Sequence, residues 1–196
     1  MYSFFTLLAF VAFMVGTPGP ANLIVMLAGV RQGLRQTIGF ILGLIVGKIA
    51  LNLFIGFGFG LVLAKAPVWQ MLFSYVSAVY MIWLALKSWP GSNADTSNAE
   101  PAQDHFRFRN GLFVHPLSPK AWVMCVLAWG KFAPDLGNFS VQLPVVILTF
   151  AMCQLCLHSV WCWLGMIMGK SLRNNVRLTR AMIISTVIVV LITLLL

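Results

Sequence analysis

The sequence predicts an all-α membrane protein of six transmembrane helices, arranged as a three-plus-three inverted repeat in which helices one and four are broken. Three observations predict it. Of the 196 residues, 60% are hydrophobic and only 9% charged, the composition of a chain that crosses the bilayer several times. The apolar residues fall into six runs separated by short basic loops. Two of the runs carry helix breakers in their interior, Thr17-Pro18-Gly19-Pro20-Ala21-Asn22 and His115-Pro116-Leu117-Ser118-Pro119-Lys120. Lipid offers a freed backbone group no partner, so such breaks persist only where they are buried in protein or line a wet cavity.

The expected spans are 3–29, 36–63, 68–88, 109–130, 141–168 and 178–196. Several exceed the roughly 20 residues that cross the hydrocarbon, which predicts tilt or kinks. No Lys or Arg precedes the first run, and it continues past any cleavage point, so it is expected to be a retained span and not a secretory signal. Span two places Gly39, Gly43 and Gly47 on one helix face, where a neighbouring backbone can approach closely or slide. Trp69 and Trp89 bracket span three as interfacial anchors. Span six runs to Leu196 with no polar tail, as a chain truncated at its C-terminus would.

The one long polar stretch, Pro90 to Asp104, has too few apolar residues to fold alone. It divides the chain into a first three-helix repeat (1–89), a cytoplasmic linker (90–108) and a second repeat (109–196), together one transporter domain. Three is odd, so the second half enters the membrane in the opposite direction from the first. Paired breaks in two such halves point to a substrate site.

A net charge of +9 would suggest nucleic acid in a soluble protein. Here the basic residues follow alternate spans and are read as topology determinants. Arg31, Arg35, Lys87, Arg107, Arg109, Lys170, Arg173, Arg177 and Arg180 lie on one side, against Lys65 and Lys131 on the other. The positive-inside rule puts the first set in the cytoplasm and both termini outside.

All four acids, Asp95, Glu100, Asp104 and Asp135, fall in expected loops. The membrane interior therefore offers no carboxylate to a cationic substrate. What it offers is Lys48, Lys120, His158 and His115. Lys120 directly follows the second break, where helix starts expose N–H groups favourable to an anion. It either holds a substrate carboxylate or bonds carbonyls freed by Pro116 and Pro119. Lys48 shares a helix face with Asn52, four residues on, and a substrate, coupling or structural role is open to it. Asn22 and Thr17 either cap the first break or meet the substrate. His158 shares a face with Gln154 and has an ordinary pKa near neutrality, so it is the candidate proton carrier.

Cys153, Cys156, Cys162 and His158 invite a metal reading, which helix geometry opposes. At 3.6 residues per turn, His158 lies about 140° from Cys153 and about 160° from Cys156, too far round for one compact site. With Cys125, these cysteines are read as packing residues. The chain has no Gly-Lys-Ser/Thr phosphate loop and no membrane acid to orient a catalytic histidine. Neither an enzyme, a metal nor another cofactor is expected.

The same residues carry a family resemblance. Thr17-Pro18-Gly19-Pro20-Ala21-Asn22 resembles the first-helix signature of the lysine exporter family, which includes homoserine and threonine exporters. Arg31-Gln32-Gly33 resembles the turn that follows it, and Gly39-x-x-x-Gly43-x-x-x-Gly47 the second-helix glycine stripe. Ala78-Val79-Tyr80-Met81-Ile82-Trp83-Leu84-Ala85-Leu86-Lys87 is similar to the end of the third helix. Pro116-Leu117-Ser118-Pro119-Lys120-Ala121-Trp122 resembles the Asn-Pro-Lys element of the second half. Ser118 stands where that family usually has Asn, and His115 replaces another common Asn. Gly130-Lys131-Phe132 replaces the usual Pro-Gln-Phe, and many relatives place an acid or a neutral residue near Lys48.

The resemblance implies a multi-pass protein of the bacterial inner membrane that exports amino acids or close derivatives, driven by protons and often dimeric. It implies a substrate path along Pro18, Gly19, Pro20, Asn22, Pro119 and Lys120, to which the reading of the residues themselves adds Thr17, Lys48 and Ser118 as candidate substrate contacts. Its partners would be the amino acid, protons, membrane lipids and a second copy of the chain, with no nucleic acid. The missing membrane carboxylate favours a small neutral substrate. Two rivals stand beside this reading: a transmembrane thiol oxidoreductase using the intramembrane cysteines, and a non-transporting helical subunit.

Overall fold

A computed structural model describes residues 2–58, 67–87, 106–171 and 176–195. Of the expected linker 90–108, residues 90–105 lie outside them, as do Lys65, Trp89 and Arg173. Seven α-helices are present among the described residues: α1 (Tyr2–Gly16), α2 (Pro20–Gly56), α3 (Pro67–Lys87), α4 (Phe108–Leu117), α5 (Pro119–Leu127), α6 (Phe139–Ser171) and α7 (Val176–Leu195). Of these, α2 and α6 are each long and apolar enough to cross a membrane. α4 together with the stretch Pro119–Leu136, which begins with α5, passes the same test if counted as one span bent by 65°.

The breaks fall where the prolines put them. Thr17, Pro18 and Gly19 separate α1 from α2, and Ser118 alone separates α4 from α5. Both restart with a proline at the first helical position, Pro20 and Pro119, where a missing N–H costs nothing. The 37 residues of α2 are two rods joined at a corner. Gly33 adopts φ 75° and ψ 175°, a region essentially closed to residues with a β-carbon. The expected boundary between spans one and two is thus a single-residue corner.

Glycines set how closely the rods pack. A β-carbon on Gly29 would overlap the Cys162 carbonyl, and one on Gly165 would overlap the Met26 carbonyl, so residues 20–32 lie backbone to backbone against α6. Gly43 and Gly47 likewise meet the carbonyls of Phe108 and Leu112, while Gly111 meets that of Phe40. Residues 34–56 therefore lie equally close to α4. These contacts replace the hydrophobic driving force that lipid does not supply between helices.

The buried apolar residues form two clusters, one around Leu27, Phe40, Leu84 and Ile183, the other around Leu7, Met124, Ala128 and Phe150. The second cluster packs α1, α5 and α6 around the breaks. Past α5 the chain loosens into a π-turn, Ala128–Phe132, and a 3-10 turn, Ala133–Leu136.

Candidate functional site

Ending α1 inside the protein leaves its last carbonyls without intrahelical partners. Each of the last four is satisfied by an identifiable group. Phe13 O accepts from the Thr17 backbone N–H at 3.0 Å, and Met14 O from Thr17 Oγ1 at 2.9 Å. Asn22 Nδ2 donates to Val15 O at 2.8 Å and also to Thr17 O at 2.9 Å. Trp161 Nε1 reaches Gly16 O at 3.3 Å. Asn22 is therefore a cap, spending its amide hydrogens on freed carbonyls.

Lys120 joins the two breaks. Its Nζ donates to Thr17 Oγ1 at 2.8 Å and to Thr17 O at 3.3 Å. The structural alternative read from the sequence, bonding to carbonyls of its own break, is not what Lys120 does. Pro116 O instead accepts from Trp122 Nε1 at 2.7 Å, and Lys120 crosses to the other break. Gly19 leaves the path open, since a β-carbon there would sit 3.3 Å from Lys120 Nζ.

One cavity opens at this junction, with about 30 Å³ of free space, enough for a water molecule and too small for an amino acid. Gly19, Pro20 and Asn22 from the first break line it, with Ser118 and Lys120 from the second. His115, Gln154 and His158 complete its polar wall, and Met14, Val15 and Met124 its apolar one. Thr17 is tied in through Lys120. Pro18 and Pro119 shape the breaks without lining the cavity.

Lys48 lies one layer behind. Fully buried, it donates to Ala121 O at 3.0 Å and places its ammonium 4.7 Å from the Phe150 ring centroid. A cation over an aromatic face is favourable, more so when dry. Asn52, expected on the same face, donates to Lys48 O at 3.0 Å and accepts from Trp129 Nε1 at 3.2 Å.

On the α6 wall, Gln154 Nε2 lies 2.8 Å from His115 Nε2. The His115 and His158 rings stack at 5.7 Å and 16°. Sequence spacing paired Gln154 with His158. It could not show that α4 brings His115 to them, nor that Trp161 caps α1, because both depend on how α6 crosses the breaks. The four cysteines are free, with Cys156 exposed and the others buried. No group of three or more His, Cys, Asp or Glu side chains converges among the described residues.

Apolar helices, two interior breaks that meet, and a lysine-lined cavity between them define a membrane protein with a polar site in its interior. The chain matches the LysE type translocator family over residues 12–195 and belongs to it. It is 24% identical over 135 residues to an uncharacterized membrane protein of Vibrio cholerae, covering 67% of this chain and 65% of that one. It is 34% identical over 97 residues to the cysteine/O-acetylserine efflux proteins of Salmonella choleraesuis and Salmonella typhimurium, covering 49% of each chain. The aligned part is thus about two thirds of the first relative's length and about half of the others'. No solved structure matches.

Proposed function

We propose that this chain exports a small neutral amino acid, or a close derivative, from the cytoplasm by alternating access in exchange for protons. The observation that carries the reading is Lys120. Its ammonium sits at a cavity wall where two broken helices meet, held by a hydroxyl and a carbonyl of Thr17. A substrate carboxylate is a stronger acceptor than either and would take their place. Thr17, Pro18, Gly19, Pro20, Asn22, Ser118 and Pro119 form and cap the breaks that present it. Lys48 holds the first turn of α5 from behind. Because the cavity is too small for an amino acid as it stands, loading requires the halves to move apart.

The absence of acids from every expected span argues against a cationic substrate. The efflux of cysteine and O-acetylserine by relatives argues for a small polar one. His158 is the proposed proton carrier. The protein would sit in the bacterial inner membrane with both termini outside the cytoplasm, paired with a second copy. The test is mass spectrometry of the medium around cells overproducing the chain, with Lys120→Ala as control. Enrichment of a few neutral amino acids only with the intact chain supports the reading. Equal enrichment by Lys120→Ala at equal membrane level sinks it.

A further inference from the structure

Two buried polar atoms at the cavity wall have no hydrogen-bond partner, Gln154 Oε1 and His158 Nδ1. Both residues are at most 1% exposed, and both line the cavity that the breaks also line. A buried polar group without a partner is costly, and native structures rarely keep one without a use for it. Here two lie four residues apart on one face of α6. The neighbouring contacts fix their chemistry. Gln154 Nε2 lies 2.8 Å from His115 Nε2 and donates one amide hydrogen there when that nitrogen carries the ring's lone pair, and Oε1 is the acceptor of the side chain. His158 stacks flat on His115, so its ring is held in plane, and the neutral ring protonated on Nε2 offers a lone pair on Nδ1.

We propose that Gln154 Oε1 and His158 Nδ1 form the subsite that receives the α-ammonium of the substrate. The inference rests on the export reading and deepens it. Asn22, read from the sequence as either a cap or a substrate contact, donates its amide hydrogens to Val15 O and Thr17 O and so serves the first break as a cap, whereas Gln154 Oε1 and His158 Nδ1 are buried atoms of the cavity wall left without any partner. Lys120 takes the carboxylate on one wall, and the two acceptors take the ammonium on the other. An amino acid then bridges the breaks to α6. Two neutral acceptors suit an ammonium here, since the nearby Lys48 and Lys120 already place cations around the cavity and a carboxylate would pair with them instead. A protonated His158 cannot accept a hydrogen bond at Nδ1, so this role belongs to the neutral ring, the form in which substrate loads. His115 is a positioning residue that aims the Gln154 amide.

The test uses the full chain in proteoliposomes loaded with L-serine and 3-hydroxypropionate, which differ only in the ammonium, together with the other neutral amino acids and their des-amino analogues. Efflux is read by mass spectrometry above protein-free vesicles. With the intact chain, at least one amino acid should leave at least about tenfold faster than its des-amino partner, as a site built to bond an N–H discriminates. In Gln154→Leu that ratio should collapse to within about threefold, because the amino acid slows toward its partner. His158→Phe keeps the ring stack and removes the lone pair, so it should do the same, and it carries the test if Gln154→Leu fails to fold. A fall of both compounds by one common factor, or an unchanged ratio in both variants, overturns the subsite. Efflux of neither class from the intact chain overturns the export reading itself, before any variant is made.

Discussion

Lys120 Nζ lies 2.8 Å from Thr17 Oγ1, so a lysine of one broken helix closes the break of the other. Thr17 spends the same hydroxyl twice, donating to Met14 O and accepting from the ammonium. A substrate carboxylate must displace that acceptor, which is worth about 1.5–3 kcal/mol when the donor is charged, less the desolvation a mutant avoids.

Thr17→Val keeps the shape of the side chain and removes the competing oxygen. The expected outcome is a fall of about threefold to tenfold in the apparent KM for export, corresponding to about 1 kcal/mol. Export kinetics in proteoliposomes measure it. A raised KM would mean that Thr17 itself holds the substrate.

The glycine contacts give a graded test of packing. Gly43→Ala places a methyl on the Phe108 carbonyl, whereas at Gly39 the nearest atom, Phe108 N, stands 4.0 Å away. Gly43→Ala should cost about 2 kcal/mol or more, as overpacking does, and Gly39→Ala close to nothing. Thermal unfolding of the detergent-solubilised protein separates them. Equal melting temperatures would contradict the close approach of α2 and α4.

Much of this was legible before the structure. The breaks were readable because proline and glycine act locally, whatever surrounds them. The glycine stripe was readable because helical spacing alone puts Gly39, Gly43 and Gly47 on one face. Which of the three meets a backbone was not, since that depends on where α4 crosses. Lys120 was located correctly at the second break, but its partner Thr17 is 103 residues away, and no local pattern encodes such a contact. The six-helix count was read from hydropathy. The described residues give two spans long enough to cross, or three with the bent pair, since the corner at Gly33 joins residues of the first two expected spans into one helix and the break at 17–19 leaves α1 a rod of 15 residues.

Gly33 can be tested separately from packing, because nothing lies within 4 Å of where its β-carbon would be. Any cost of substitution is then backbone strain alone. Gly33→Ala should destabilise by about 1–3 kcal/mol. Gly33→Asn should fare no better, since asparagine relieves the left-handed helical region and not the extended region at ψ 175°. Urea or thermal unfolding of the two variants checks this. Rescue by asparagine would place the corner in a different conformation.

Lys48 distinguishes a charge kept for stability from one kept for function. It is fully buried, its ammonium reaching a carbonyl of α5 at 3.0 Å and an aromatic face of α6 at 4.7 Å. No carboxylate contact is described for it. Replacing a buried charge by an apolar residue of similar length is commonly neutral or stabilising, by up to about 1–4 kcal/mol. Lys48→Met should therefore melt at the same temperature or higher. The Ala121 carbonyl that Lys48 holds belongs to the residue after Lys120, so losing the bond should loosen the turn that aims Lys120 into the cavity. Export should fall at least about tenfold, the loss expected when a positioning contact goes. A higher melting temperature with export lost marks a charge retained for transport. Unchanged export would reduce Lys48 to a tether between α2 and α5.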